Sequence, residues 1–219
     1  NTSTTSDAIS LTVDTVALTP SALATSSSLT NNQTPAITGF AEAGSTVTLF
    51  NGAVILGTAT ADSTGNFSIT PSTNLADDNY SLTVKAVDAA GNESTESSAI
   101  SLTVDTVSLT PSALKTTSPL TNNPTPAITG TAEAGSTVTL LNGDTVLGTA
   151  TADDNGDFSI TPSTNLPDDD YSLTVKAKDT AGNESTESSA ISLTVDTVSL
   201  TPSALATTST LTNNPTPAI

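Results

Sequence analysis

Residues 100–106 of this chain, ISLTVDT, carry the two features that decide the fold, alternation and repetition. Isoleucine, leucine and valine alternate with serine and threonine, which is the period-two pattern of a half-buried β-strand. The same seven residues occur at 9–15 and at 191–197, an interval of 91 residues on each side. The chain is therefore a strand-rich unit that recurs along the sequence.

The repeat sets the predicted domain organisation. Segments 14–104 and 105–195 differ at 17 of 91 positions, so 91 minus 17, or 74, are identical. We predict that 1–13 is the last strand of a preceding repeat, that 14–104 and 105–195 are complete repeats, and that 196–219 starts a following one. Near-identical tandem units repeat one structural solution. This layout favours an elongated spacer over a single site for unique chemistry.

Alternating segments continue through both repeats, and helical periodicity is absent. Turn-forming residues separate the segments, among them Asn51-Gly52, for which we expect a hairpin with positive φ at both residues. The first repeat is predicted to contain seven strands: 16–23, 36–41, 45–50, 54–61, 66–70, 80–87 and 99–104. Seven short strands in one repeat predict an all-β fold of tandem immunoglobulin-like β-sandwiches in an extended array. Segment 24–34 is predicted to wrap around a sheet edge.

The aromatic residues support a sandwich. Tyr80 and Tyr171 each follow an acidic loop and open the sixth strand of their repeat, as in the tyrosine corner of these sandwiches. Phe67 and Phe158 alternate with polar neighbours in both repeats, so we predict that they lie in the core.

Composition limits the partners. The chain has 22 acidic residues and four lysines, a formal net charge of −18, and it lacks Cys and His. This charge argues against binding to nucleic acid or to an anionic membrane, because both need clustered basic residues. No segment reaches the roughly 20 apolar residues of a transmembrane helix. We expect neither nucleic-acid binding nor membrane insertion by this fragment, and the charge suits divalent cations better.

The acids are predicted to gather at the ends of the sandwiches, because alternating strand directions sort the loops onto two poles. A shared pole is predicted for Asp14, Glu42, Asp62 and Asp88 in the first repeat. Its equivalents in the second are Asp105, Glu133, Asp153 and Asp179, and the far-pole acids that face this second cluster are Asp77 and Asp78.

Converging carboxylates repel one another unless a cation neutralises them, and calcium accepts six to eight oxygen ligands. We predict calcium at these poles and junctions, with help from backbone carbonyls and the amides of Asn92 and Asn183. Coordination from both sides of a joint would stiffen it. The alternative is that the acids are solvated loop residues that keep the protein soluble.

The motifs AEAGSTVTL, YSLTVKA and LTVDT occur in both repeats and carry a family resemblance. With their spacing, the chain resembles the bacterial Ig-like repeats of giant biofilm-associated and RTX-type surface adhesins. The resemblance implies an extracellular array at the bacterial cell surface, exported by type I secretion, that projects an adhesive tip and binds calcium between modules. Asp78 and Asp169 stand where these repeats have glycine, which adds acid or demands a backbone conformation ill suited to aspartate.

The sequence bears on three classes of function. The first is a structural extender of an adhesin that serves biofilm formation and cell attachment. The second is a direct binding module for glycan, protein or surface. Phe40 and Phe50 are predicted to face outward, but Thr131 and Leu141 replace them in the second repeat, so no aromatic platform recurs. The third class is an enzyme, which the lack of His, Cys and Arg disfavours.

The expected partners follow from the repeat layout. They are neighbouring repeats of the same chain. Homotypic contacts between chains are a further possibility, because the partial repeats 1–13 and 196–219 would otherwise leave strand edges unpaired.

Overall fold

The computed structural model describes residues 7, 9–201 and 215, and every regular element within them is a β-strand. The strands of the first repeat are β1 (Ser21–Thr25), β2 (Leu29–Thr30), β3 (Ile37–Phe40), β4 (Thr46–Asn51), β5 (Val54–Thr60), β6 (Asn66–Ile69), β7 (Asp78–Val87) and β8 (Ile100–Val104). Those of the second are β9 (Ser112–Thr116), β10 (Leu120–Thr121), β11 (Ile128–Thr131), β12 (Thr137–Asn142), β13 (Thr145–Thr151), β14 (Asp157–Ile160), β15 (Asp169–Lys178) and β16 (Ile191–Val195). None of these residues forms a helix with the length and apolarity that a membrane crossing requires.

The chain divides into two compact units. One comprises Asn1–Ser108 with Lys178–Ser185, and the other comprises Leu109–Ala177 with Thr186–Ile219. Each repeat contributes one sandwich, and we describe each by itself. The predicted repeat bounds, 14–104 and 105–195, stay a prediction.

The first sandwich packs a three-stranded sheet, in the order β1-β3-β6, against a five-stranded sheet, in the order β2-β8-β7-β4-β5. Strand neighbours are antiparallel except for β2 and β8, which run parallel. Alternate side chains of β4 and β7 point into the core, where Val47, Leu49, Leu82 and Val84 are fully buried. Phe67 of β6 covers them from the opposite sheet, so its predicted core position is confirmed.

The second sandwich repeats this arrangement, with sheets in the orders β14-β11-β9 and β10-β16-β15-β12-β13. Its core includes Val138, Leu140, Leu173 and Phe158, the last at the predicted position. The all-β fold with two immunoglobulin-like sandwiches in tandem is thus confirmed. It follows from alternating apolar residues that face inward from both sheets.

The predicted first strand, 16–23, is wrong. The observed chain enters the first sheet only at Ser21, because Pro20 has no N–H for a ladder, and a register shift follows at Ala22, whose φ is 51°. The chain then crosses to the second sheet and adds the two-residue β2, which makes eight strands rather than seven. Segment 24–34, predicted to wrap around a sheet edge, runs from β1 at the edge of the first sheet to β2 at the edge of the second.

The hairpin between β4 and β5 is confirmed, but its turn differs from the prediction. Asn51 still pairs with Val54, so Gly52 and Ala53 form the two-residue loop. Only the glycine has a positive φ, 57°. Both kinds of two-residue turn, the observed one with positive φ at its first residue and the predicted one with positive φ at both, match the right-handed twist of the strands.

The tyrosine corner is confirmed in both repeats. The hydroxyl of Tyr80 donates to the carbonyl of Ala76 at 2.9 Å, and that of Tyr171 donates to the carbonyl of Pro167 at 2.9 Å. Asp78, which replaces the glycine expected near this corner, lies within β7 and is not among the residues with positive φ. The substitution therefore adds a carboxylate without backbone strain.

The three copies of ISLTV have different environments. Leu102 in β8 and Leu193 in β16 are each 1% exposed, as inward-facing strand residues. In the copy at 9–13, Leu11 is 84% exposed, and Ile9 and Val13 are also exposed.

Candidate functional site

Two acidic loops of the first repeat share the pattern Asp-x-x-Gly-Asn, at 62–66 and 88–92. In each, the aspartate N–H donates to the asparagine carbonyl, at 2.8 Å in the first loop and 3.1 Å in the second. The aspartate Oδ1 accepts the N–H groups two and four residues ahead at 2.8 or 2.9 Å. The glycine, with a φ of 86° or 90°, completes the turn. The carboxylates of these predicted metal ligands therefore accept hydrogen bonds that close their own loops.

The equivalent loops of the second repeat, 153–157 and 179–183, close in a similar way. Asp153 Oδ1 accepts the N–H groups two and four residues ahead, at 2.9 Å each. Asp179 Oδ1 accepts those three and four residues ahead, at 2.7 and 2.8 Å. Asp153 is exposed, whereas Asp179 and its equivalent Asp88 are each only 6% exposed. The two buried aspartates are thus the better-defined pair of candidate ligands.

An asparagine in each repeat ties the buried aspartate to the first residue of that repeat. Asn92 Nδ2 donates to Asp88 Oδ2 at 2.8 Å and to the carbonyl of Asp14 at 3.1 Å. Asn183 Nδ2 donates to Asp179 Oδ2 at 2.8 Å and to the carbonyl of Asp105 at 2.8 Å. Sequence reasoning assigned the asparagines an accessory role, but the structure uses their N–H groups as a clamp.

Asp105 and Asp179 are two predicted ligands whose carboxylates converge. One carboxylate oxygen of each lies within 4.8 Å of the other. Asp105 is half-buried, its Oδ1 accepts the N–H of Val107 at 3.1 Å, and its own N–H donates to the carbonyl of Thr30 at 3.0 Å. Because a calcium–oxygen bond is about 2.4 Å long, two oxygens on one ion are at most about 5 Å apart. The spacing fits a shared cation.

The glutamates of the predicted cluster lie in tight turns before β4 and β12. The carbonyl of Glu42 accepts the N–H of Ser45 at 3.0 Å, and the carbonyl of Glu133 accepts that of Ser136 at 3.0 Å. Both glutamates are half-buried. Glu133 belongs to the other compact unit from Asp105, so its role as a shared ligand stays a prediction.

The far-pole acids have other roles. Asp77 Oδ1 accepts the hydroxyl hydrogen of Thr106 at 2.8 Å, which ties the loop before β7 to the residue that follows Asp105. Asp78 Oδ1 accepts the neighbouring N–H of Asn79 at 2.7 Å. Asp77 thus contacts the residue next to Asp105 of the second predicted cluster, whereas Asp78 is the first residue of β7.

Hydrogen bonding lowers the pKa of two of these carboxyls. The Asn92 side chain has the largest effect on the pKa of Asp88 and, with backbone N–H groups, outweighs the opposing effect of burial. The Thr64 hydroxyl and then backbone N–H groups lower the pKa of Asp62. In both cases the donors stabilise the charged form of the carboxyl.

These lowered pKa values predict a loss of stability in acid. The contribution of each carboxyl is complete above the unfolded pKa of about 3.9 and disappears as pH falls through the lower folded value. We expect the urea midpoint of the chain to fall between pH 5 and pH 2.5, and to fall less in the variant Asp62→Asn, Asp88→Asn. An equal fall in parent and variant would contradict the prediction.

Sequence reasoning missed two buried serines beside β7. Ser94 Oγ accepts the N–H of Ala86 at 2.9 Å, and Ser97 Oγ accepts the N–H of Val84 at 3.0 Å. Each serine also donates its own N–H to the carbonyl of the same β7 residue, at 2.9 and 3.0 Å. The sequence contains a signal for this role. Two serines stand three residues apart in Glu-Ser-Thr-Glu-Ser at 93–97, directly after a strand whose N–H groups need acceptors.

Comparison with known proteins adds a family and several structural likenesses. The pattern of the bacterial Ig-like domain family matches residues 4–106 and 110–197. Among solved structures, the chain is similar to a biofilm associated protein's BSP domain, with 24% identity, TM-score 0.33, and coverage of 82% of this chain and 30% of that chain. No curated protein matches the chain.

Two further structures have comparable similarity. One is a tetra-tandem repeat from the extending region of a large adhesion protein, with 21% identity, TM-score 0.36, and coverage of 82% of this chain and 49% of that chain. The other is a structure of the fibronectin(III)-like modules of Clostridium thermocellum CbhA, with 20% identity, TM-score 0.44, and coverage of 80% of this chain and 94% of that chain. The chain spans about a third of the BSP-domain structure and half of the tetra-tandem repeat.

Proposed function

The chain belongs to the bacterial Ig-like domain family, and from this premise we propose that it is a structural extender, or stalk, of a large secreted adhesin at the bacterial cell surface. The observation that supports this role most directly is the tandem of two sandwiches identical at 74 of 91 positions, the remainder after 17 differences. Repeated modules of one fold add length without adding new chemistry. Biofilm formation and cell attachment would then depend on a part of the adhesin outside these repeats, and no enzymatic step is proposed.

We further propose that calcium stiffens the stalk. Asp105 and Asp179 would be the central ligands, because their carboxylate oxygens lie within 4.8 Å. Two aspartates supply only part of the six to eight oxygens that calcium takes, so backbone carbonyls and water would complete the set. The wider predicted set, with Asp14, Glu42, Asp62, Asp88 and Asp153, is a weaker proposal, because none of these acids belongs to a group of three or more converging carboxylates in the described part of the chain.

A shared ion would act on the segment between β8 and β9. Asp105 is the first residue after Val104 of β8, and Asp179 lies in the loop after β15. An ion bound to both would fix this segment to that loop, in addition to the clamp from Asn183. Bending of the segment would then break coordination bonds, which is the physical reason to expect stiffening.

Calcium titration of the whole chain by calorimetry tests the proposed site. We expect a dissociation constant on the order of 10⁻⁴–10⁻³ M, as in extracellular calcium modules. Asp105→Asn and Asp179→Asn should each abolish this binding, whereas Asp154→Asn, an equal charge change at an exposed loop position, should retain it. Calcium binding that is lost equally in all three variants would reflect net charge and contradict the site.

Small-angle scattering of the same chain tests the extender role. We expect a maximum dimension close to twice that of one repeat in calcium, and a broader distance distribution after addition of EDTA. If EDTA left the distribution unchanged although calorimetry had detected calcium, the ion would bind without stiffening. A compact profile in calcium would contradict the extender itself. Homotypic contacts between chains would appear as concentration dependence.

A further inference from the structure

The outer face of the three-stranded sheet in the first sandwich has an unusual composition. Its outward side chains come from three strands: Ser21, Ala22 and Ala24 of β1, Thr38 and Phe40 of β3, and Asn66 and Ser68 of β6. None of the seven carries a charge, on a chain with a net charge of −18. Phe40 is 50% exposed, so its ring is available to a ligand.

The two repeats differ on this face. Three of its seven outward positions differ, although only 17 of 91 positions differ along the whole repeat. The replacements in the second repeat are Lys115 for Ala24, Thr131 for Phe40 and Asp157 for Asn66. The first face is thus apolar and neutral at its centre, whereas the second is polar and charged.

Pairing across the strands places polar groups around the ring. Phe40 lies opposite Asn66 on β6, and the next outward pair, Thr38 and Ser68, also lie opposite each other. An open cavity of about 520 Å³ borders Phe40, Asn66 and the alanines of β1. An aromatic ring is therefore flanked by an amide and two hydroxyls at the edge of a shallow depression.

We propose that this face of the first repeat is a binding site for a neutral saccharide. A sugar ring has an apolar C–H surface, which suits the face of an aromatic side chain, and a rim of hydroxyls. The Thr38 hydroxyl donates to the carbonyl of Ala24 at 3.4 Å and the Asn66 amide donates to the hydroxyl of Thr64, so their side-chain oxygens can accept from such a rim. The hydroxyl of Ser68 can both donate and accept. The acidic surroundings disfavour anionic glycans, because like charges repel, so the site selects a neutral one. This inference does not rest on the proposed stalk function.

The second repeat provides a built-in negative control. There, Thr131 Oγ1 lies 3.1 Å from Ser112 Oγ and donates to the carbonyl of Ser112 at 3.4 Å, so it pairs across the sheet instead of offering a ring. Lys115 and Asp157 add charges to the same face. We expect no saccharide binding at this position.

NMR of the whole chain with ¹³C-labelled phenylalanine rings tests the site, because the sequence has only four phenylalanines. The probes are cellohexaose, chitohexaose and isomaltohexaose, each titrated to about 20 mM. We expect at least one of them to shift the Phe40 signal and leave those of Phe67 and Phe158 unchanged. The expected dissociation constant is on the order of 1 mM, which is about −4 kcal/mol.

Two variants separate binding from folding. Phe40→Thr introduces the residue that the second sandwich already tolerates, so it should fold normally and weaken binding about tenfold or more. The triple variant Lys115→Ala, Thr131→Phe, Asp157→Asn moves the neutral aromatic face to the second repeat. Its fifth phenylalanine signal should titrate with the same sugar.

Three results would overturn the proposal. The first is that none of the three sugars shifts Phe40. The second is that Phe40→Thr binds as tightly as the parent chain. The third is a Phe40 shift that depends on protein concentration without sugar, which would show that this face is an interface between copies of the chain instead.

Discussion

Alanine in place of Gly65 should destabilise the first sandwich by about 3 kcal/mol, the sum of a left-handed backbone penalty and a steric clash. Gly65 has a φ of 86°, and a Cβ at this position would lie 2.6 Å from the carbonyl oxygen of Ala41. That carbonyl belongs to the backbone and cannot rotate away as a side chain could. The neighbouring bond, from the N–H of Ala41 to the carbonyl of Gly65 at 2.9 Å, would be distorted as well.

Gly44→Ala is the matched control for this substitution. Gly44 has a similar φ of 79°, but a Cβ there would meet nothing within 4 Å. It should therefore cost only about 1 kcal/mol, the conformational part of the penalty. Urea unfolding monitored by ¹⁹F NMR of 3-fluorotyrosine gives the stability of each repeat separately, because Tyr80 and Tyr171 give one signal each. Equal losses for the two glycines would show that the contact with Ala41 is unimportant.

Removal of both buried serine hydroxyls beside β7, in Ser94→Ala with Ser97→Ala, should cost about 3 kcal/mol. The reason lies in the pairing of β7, since β8 pairs only with residues 78–82 of this strand. Farther along β7, the serine hydroxyls accept the N–H groups of Val84 and Ala86, which are 0% and 1% exposed. Without the hydroxyls, two buried N–H groups lose their acceptors, at roughly 1–3 kcal/mol each.

Alanine in place of Ser45 should have the opposite effect on the stability of the first repeat. Ser45 is 1% exposed, and its hydroxyl has no hydrogen-bond partner within the described part of the chain. Ser45→Ala removes a buried polar group that gains nothing from the fold, so stability should rise by up to about 1 kcal/mol. The Tyr80 fluorine signal again reports the first repeat. A loss of stability in Ser45→Ala would contradict this account of the buried serines.

The parts of the fold that could be predicted are those set by local rules. Alternation placed the inward residues of β4 and β7 correctly, because a period of two leaves a strand little choice of face. The tyrosine corner was predictable because an acidic loop precedes Tyr80 and Tyr171. The first strand was not, since Val16 and Leu18 alternate as strand residues do, and Pro20 ends that pattern only through its missing N–H.

The acidic loops show why the candidate site was harder to predict. The sequence shows where carboxylates lie along the chain, but not which N–H and hydroxyl groups donate hydrogen bonds to them. Asp62 and Asp88 head the same five-residue pattern, and that pattern, more than their charge, determines their geometry. The pairing of Asp105 with Asp179 depends on residues 74 positions apart in sequence, which no local rule specifies.

The occurrence of the same strand, ISLTV, at 9–13, 100–104 and 191–195 has a consequence for how the protein reaches its native state. Because the copies at 100–104 and 191–195 have the same sequence, each can fill the same slot in a half-formed sandwich with equal affinity. Partner choice must then come from chain connectivity, since nearby segments meet sooner than distant ones. Exchange of such interchangeable strands is the characteristic error of repeat proteins during refolding. Slow, sequential emergence from a ribosome would suppress it.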